Sequence, residues 1–254
     1  MGSLTFLGTG TSTGVPAIGC QCEVCVSNDP KNKRLRASVW IKQDGLSVLI
    51  DTSTDLRAQA LRAGITNIDA VLYTHHHADH VHGIDELRSF SFFHKKQIPC
   101  YANQESIRRL KEMFGYIFNG AAAVGGGKPD LSLNYVDGPF AIGAVKVTPI
   151  AVKHGSMDVF GYRINDTAYV TDCSFIPPSS EPLLEGLDTL ILGALGFKTH
   201  ATHFTLEKAL DAIKLLKPGA AYLTHLTHNM MHEEVSARLP ERVNLAWDGL
   251  VIDI

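Results

Sequence analysis

His75, His77, Asp79 and His80 place four metal-ligating side chains within six residues, in the run Thr74-His-His-His-Ala-Asp-His80. The run follows directly on the apolar segment Ala70–Tyr73, which reads as a strand. Residues two apart on an extended segment point the same way, so His75 and His77 can present their imidazoles to one metal while His76 faces elsewhere. As the chain turns toward a helix predicted from Ile84, Asp79 and His80 come round to a second position. Buried without partners, such groups would each cost several kcal/mol. Three further residues sit just past apolar runs: His154 after a strand ending near Ile150, Asp172 after Ala168–Val170, and His225 after Ala220–Leu223. Each alone reads as a satisfied buried polar group or a cap. Their coincidence points to a metal centre.

A second cluster has different chemistry. Cys20-Gln-Cys22-Glu-Val-Cys25 puts three thiols within six residues, a spacing at which disulfides would be strained. Sulfur-bound tetrahedral zinc suits the cluster but needs a fourth ligand, and His228, three residues after His225, is the candidate. Cys100 and Cys173 read as core or near-site residues. An odd total of five cysteines, three of them clustered, favours a reducing compartment. The first residues show no basic stretch followed by an apolar one, so the expected location is cytoplasmic.

The elements that must position these residues follow from hydrophobic pattern. Strands are expected at Leu4–Leu7, Ser38–Lys42, Ser47–Ile50, Ala70–Tyr73, Ala144–Ile150, Val159–Ile164, Ala168–Val170, Thr189–Leu192, Ala220–Leu223 and Leu250–Ile254. Helices are expected at Asp55–Ala63, Ile84–Phe92, Gln104–Phe118, Thr205–Leu216 and Glu233–Leu239, with stops at Gly64 and at Pro218-Gly219. Early strands run consecutively and later ones alternate with helices, which suits a mixed sheet pair covered by helices. No composition shift divides the chain, so residues 1–254 are expected to form a single α/β domain with a Cys-rich loop at 19–26. Asn119–Asp130 is a low-complexity stretch expected to be a surface loop. The glycines between Gly8 and Gly14 miss the dinucleotide fingerprint by one place, and Gly125-Gly-Gly-Lys-Pro129 lacks the P-loop spacing and hydroxyl, so both read as turns. A formal charge of −3 argues against bulk nucleic-acid or anionic-membrane binding, and no apolar run is long enough to span a bilayer.

The His75-x-His77-x-Asp79-His80 run resembles that of the metallo-β-lactamase superfamily, and Asp51, ending the strand Ser47–Ile50, resembles its first motif. The likeness extends from Gly8-Thr-Gly10 to Trp247-Asp-Gly249. It implies a four-layer αββα sandwich with a dinuclear site along one edge of the sheets. In that arrangement His75, His77 and His154 hold one divalent metal, Zn or Mn, and Asp79, His80 and His225 hold the other. Asp172 bridges both, and Asp51 orients ligand loops as a hydrogen-bond acceptor. The three-Cys, one-His cluster resembles the structural zinc of PhnP-like phosphodiesterases. His203, ahead of a helix, matches the position of a histidine thought to donate a proton in PhnP-like enzymes and tRNase Z. His200, Lys198 and Arg88 are weaker candidates for contact with an anionic substrate, and His76, His82, His94 and His232 receive no role.

Two metals about 4 Å apart can share a hydroxide whose parent water has a pKa near 7. The expected function is therefore metal-dependent hydrolysis of a small or cyclic phosphodiester, with His203 protonating the leaving oxygen. The resemblance to PhnP-like enzymes would imply phosphoribosyl cyclic phosphate as substrate, but the segment Gly193–His203 departs from PhnP proper, so that substrate is not carried over. Alternatives are a tRNase Z-like ribonuclease, disfavoured by the charge and the lack of a basic arm, a thioesterase or lactonase, and a zinc-braced binding protein without turnover. A homodimer is expected by family analogy alone.

Overall fold

The computed structural model of the protein describes residues 2–119 and 127–254. Most of the predicted Asn119–Asp130 loop lies outside the described residues. The apolar runs form strands β1 (Ser3–Gly8), β2 (Ser38–Gln43), β3 (Leu46–Ile50), β4 (Ala70–Leu72), β5 (Ile98–Ala102), β6 (Leu131–Tyr135) and β7 (Phe140–Ile142). These are followed by β8 (Val145–His154), β9 (Met157–Ile164), β10 (Thr167–Val170), β11 (Thr189–Gly193), β12 (Ala220–Thr224), β13 (Val243–Leu245) and β14 (Val251–Asp253). One seven-stranded sheet has the order β14-β1-β2-β3-β4-β5-β6, and the other runs β13-β12-β11-β10-β9-β8-β7.

Side-chain alternation on these strands builds the layers. Val39, Ile41, Val48, Ile50, Ala70 and Leu72 face the second sheet, where they meet Val147, Tyr162, Ile164, Tyr169 and Ile191. The alternate residues Trp40, Leu49 and Val71 face outward and pack with Leu56, Ile84, Leu87, Ile107 and Leu110 of the covering helices. On the second sheet, Ala168, Val170, Leu190 and Leu192 likewise turn outward, toward Ala209 and Ile213 of the helix Leu206–Leu216. Strands buried on both faces read as continuous apolar runs, as these do in the sequence. The three cores separate four layers, the expected αββα sandwich.

Helix boundaries follow local chemistry. Gly64 caps the helix Leu56–Ala63 at φ 65°, and the Thr205 side chain accepts from the Lys208 N–H at the start of Leu206–Leu216. The predicted helix Gln104–Phe118 is instead two, Gln104–Met113 and Gly115–Phe118, broken at Phe114 (φ −117°, ψ 42°). The predicted Ile84–Phe92 begins as a 3-10 turn, Ile84–Glu86, and becomes α-helical over Leu87–His94. Glu233–Leu239 shortens to His232–Ser236. No described helix is long and apolar enough to cross a membrane.

Candidate metal centre

Asp51, Asp172 and His225 each stand at the end of a strand, where the chain leaves the sheet with a left-handed backbone (φ 64°, 49° and 58°). A non-glycine residue in this region costs of the order of 1–3 kcal/mol, and such residues concentrate at functional sites. The bend turns each side chain along the common edge of the two sheets. Strand β8 runs on past the predicted end at Ile150, so that His154 is its last residue. Asp79 and His80 lie on a one-turn helix, Ala78–Val81, immediately after His77.

The predicted residues converge. Ligand atoms of His75, His77, His154 and Asp172 lie within 4.8 Å of one another, as do those of Asp79, His80 and His225. Asp172 joins the two groups through different oxygens. Its Oδ2 lies 3.8 Å from His75 Nε2, while Oδ1 lies 3.1 Å from His225 Nε2 and 3.4 Å from His80 Nε2. Asp79 Oδ2 is 3.3 Å from His80 Nε2 and 3.7 Å from His225 Nε2. All of these residues but His77 are buried.

Neighbouring acceptors fix which ring nitrogen carries the proton. Asp51 accepts from the Thr74 N–H (2.8 Å), the Thr74 hydroxyl (2.8 Å) and His80 Nδ1 (2.7 Å). With its own proton given to Asp51, the Thr74 oxygen accepts from His75 Nδ1 at 3.0 Å. His154 Nδ1 donates to the Thr202 carbonyl at 2.7 Å. Gly155 makes that approach possible: at φ 62°, a Cβ there would sit 2.8 Å from Thr202 Cγ2. The Nε2 lone pairs of His75, His80 and His154 are thereby directed away from these acceptors, as metal-bound imidazoles require. His75 Nε2, His80 Nε2, His225 Nε2 and Asp79 Oδ2 are buried and lack a hydrogen-bond partner among the described residues. Buried orphan acceptors facing one another are costly as such and suited to divalent cations.

The electrostatics agree. Burial opposes ionisation of Asp172, yet the His225, His80 and His75 rings outweigh it and hold the carboxyl well below its ordinary range. Asp79 behaves alike, with burial overcome by His80 and His225. Burial drives His75 the other way, strongly toward its neutral form. His80 goes the opposite way: the Asp172, Asp51 and Asp79 carboxylates overcome its burial and hold it well above its ordinary value, so metal binding must displace a proton from this ring.

The cysteine cluster also assembles. His228 Nδ1 lies 3.1 Å from Cys20 Sγ and 3.5 Å from the Sγ atoms of Cys22 and Cys25. A tetrahedral zinc about 2.3 Å from sulfur and about 2.0–2.1 Å from nitrogen would set such pairs about 3.6 Å apart. Cys100 and Cys173 are both buried, away from this cluster.

His203 stacks on His225, with ring centroids 5.0 Å apart and planes at 19°, and its Nδ1 is 3.9 Å from Asp172 Oδ2. Burial pushes this imidazole down to about 3, against the pull of Asp172. His200 is exposed beside it, with ring centroids 5.0 Å apart. Arg88 is engaged elsewhere, donating to the Gly127 carbonyl at 3.1 Å, and Lys198 is exposed.

Sequence reasoning missed three contributors. Thr74 directly precedes the histidine run and links Asp51 to His75. Thr202 acts through its carbonyl, for which no side-chain signal exists. Arg34 is 1% exposed and donates to the carbonyls of Thr227 and Met230, which flank His228. Nothing in the polar stretch Ser27–Lys33 that leads to it hints at burial.

The beta-lactamase superfamily domain profile matches residues 47–226. A crystal structure of a diphosphatase from the PhnP family is 43% identical and superposes with a TM-score of 0.94, covering 100% of this chain and 98% of that one. Among curated proteins, an octanoyltransferase of Porphyromonas gingivalis is 38% identical over 250 residues, 96% of this chain but only 50% of that protein, so the chain spans half the length of this relative. A ribonuclease Z of Methanopyrus kandleri is 32% identical over 90 residues, 33% of this chain and 32% of that protein. The matched profile, the full-length likeness and the αββα layers agree, and the chain belongs to the beta-lactamase superfamily and, within it, to the PhnP family.

Proposed function

We propose that the protein is a metal-dependent hydrolase of small phosphodiesters, cyclic diesters and diphosphate bridges included. The observation that carries the reading is Asp172, whose two carboxylate oxygens face two separate sets of imidazoles. His75, His77 and His154 would hold one divalent ion, Asp79, His80 and His225 the other, with Asp172 shared between them. Bound there, two Zn²⁺ or Mn²⁺ ions would lower the pKa of a water toward about 7 and neutralise charge on phosphoryl oxygens. Asp51, Thr74 and the Thr202 carbonyl keep the ligand rings in the required tautomer. Cys20, Cys22, Cys25 and His228 would hold a structural zinc that braces the loop after β12.

The phosphoryl part of the reading is supported by the diphosphatase relative of the PhnP family. His203 stands beside Asp172 and outside both ligand sets, which suits a group that protonates the leaving oxygen. Its ring is neutral at pH 7 in the protein alone, so an anionic phosphoryl group seated against it must favour the imidazolium before it can act as an acid. A small substrate suits the formal charge of −3, which disfavours binding along a nucleic-acid backbone.

The octanoyltransferase relative favours a second reading, hydrolysis of an acyl ester or thioester at the same centre. The thiols outside the cluster of Cys20, Cys22, Cys25 and His228 do not support transfer through a cysteine acyl intermediate. Cys100 and Cys173 are buried, and burial pushes Cys173 up to about 12. The deciding experiment is a substrate profile on metal-analysed protein, setting bis(p-nitrophenyl) phosphate and a cyclic phosphodiester beside lactone and thioester panels. Diester turnover abolished by Asp172→Ala supports the proposal. Ester turnover with silent diesters replaces it with the acyl reading, and full turnover by Asp172→Ala removes the metal centre from the chemistry.

A further inference from the structure

The row of imidazoles continues past His203. Its ring lies 4.6 Å from that of His154 and 5.0 Å from that of His225, and on another side His200 lies 5.0 Å away. His154 and His225 are buried, His203 is half-buried and His200 is exposed. The row therefore runs from the metal-ligand cluster to the surface, with His200 as its outermost member.

The tautomer of His200 is set by its own turn. Its Nδ1 accepts the Thr202 N–H at 3.3 Å and lies 3.1 Å from the Thr202 hydroxyl oxygen. A nitrogen that accepts a backbone N–H carries no proton, so the neutral ring keeps its proton on Nε2. That N–H has no hydrogen-bond partner among the described residues. The same Thr202 gives its carbonyl to His154, so one residue anchors both an inner ring and the outermost one.

A group leaving from a phosphorus beside His203 cannot extend inward, because His154, His225 and Asp172 fill that side. It must extend outward, and His200 is the next imidazole along the row. A fixed N–H donor at this place is matched by an anionic oxygen, and Lys198, exposed two residues earlier, adds positive charge to the same segment. We propose that His200 is a specificity-determining residue that donates its Nε2–H to a second phosphoryl group in the leaving half of a diphosphate-bridged substrate. The inference rests on the phosphoryl-hydrolase reading and names the substrate class within it.

The test compares wild type, His200→Ala and His200→Gln, with metal content measured for each. ADP-ribose supplies a diphosphate bridge, and bis(p-nitrophenyl) phosphate supplies one phosphorus alone. His200→Ala is expected to raise KM for ADP-ribose about tenfold, the worth of one hydrogen bond to a charged acceptor. Its kinetics on bis(p-nitrophenyl) phosphate stay within about twofold, and His200→Gln, whose amide N–H reaches a similar place, restores much of the loss. Calorimetry gives a readout free of turnover: the preference of the metal-loaded protein for methylenediphosphonate over methylphosphonate should fall about tenfold in His200→Ala. Equal losses on both substrates would assign His200 to bracing Thr202 and overturn the proposal, as would an unchanged diphosphonate preference. Wild-type protein that hydrolyses neither substrate, yet keeps a His200-dependent diphosphonate preference, would defeat the hydrolase reading and overturn the leaving-group role, reducing His200 to a diphosphate-binding residue.

Discussion

Asp51→Asn removes one charge from the metal centre with almost no change of shape, and its consequence can be worked out atom by atom. Asp51 is fully buried, and its left-handed backbone (φ 64°) is one that asparagine also tolerates. The carboxylate accepts three hydrogen bonds, two from Thr74 and one from His80 Nδ1. An amide offers a single oxygen. If that oxygen faces the Thr74 N–H, the NH₂ group confronts two donors, the Thr74 hydroxyl and His80 Nδ1. The conflict is relieved when His80 moves its proton to Nε2, the nitrogen that faces Asp79 and Asp172, and a protonated nitrogen cannot ligate a metal. Rotating the amide only shifts the clash to the Thr74 N–H. Losing a charge-assisted hydrogen bond is worth about 1.5–3 kcal/mol, which agrees with the roughly 10–100-fold loss of metal affinity usual when such supporting acceptors are changed. The assay is competition with graded chelator, counting metal equivalents per chain at each step. Asp51→Asn should release its His/Asp-bound metal at roughly 10–100-fold lower chelator while the Cys-bound ion is retained. Release curves that superimpose on wild type would show that Asp51 does not set the tautomer of His80.

Three other perturbations bear on separate parts of the account. Cys22→Ser should lower bound zinc by about one equivalent and lower Tm, because structural zinc binding is folding free energy; unchanged metal content would remove the cysteine site. His203→Ala should keep its metals and slow alkyl diesters by about 10²–10⁴-fold, with nitrophenyl diesters much less affected, since good leaving groups need no proton. Equal slowing of both classes would argue that His203 donates none. Arg34→Met strips the buried Met230 carbonyl of its donor, at about 1–3 kcal/mol, and leaves the part-buried Thr227 carbonyl only the Met230 N–H at 3.4 Å. A clear fall in Tm with easier loss of the Cys-bound metal is expected, and an unchanged melting curve would contradict it.

The sandwich was legible wherever a strand is buried on both faces. Ser47–Ile50 and Thr189–Leu192 are unbroken apolar runs, and they appear in the structure within a residue of their expected limits. Four strands escaped notice for physical reasons. Ile98–Ala102 contains Pro99, and Leu131–Tyr135 carries Ser132 and Asn134, residues that disfavour strands when judged singly. Parallel pairing of β5 with both β4 and β6 overrides those preferences. Phe140–Ile142 and Val243–Leu245 are three-residue edge strands, too short to show a period. The histidine and aspartate residues were legible because ligand-type side chains cannot be buried in such numbers without a common partner. Their arrangement in space came from the family resemblance and not from the side-chain pattern, because it depends on the left-handed turns at Asp51, Asp172 and His225, which no such pattern announces. Thr202 was out of reach for the same reason, since its contribution is a backbone carbonyl.

Anomalous diffraction from crystals of the metal-loaded protein tests the central claim most directly. The account predicts two peaks about 3.5–4 Å apart with the Asp172 carboxylate between them, and a third inside the Cys20, Cys22, Cys25 and His228 cluster. Imidazoles turned away from one another, with no peak on either side of Asp172, would contradict it.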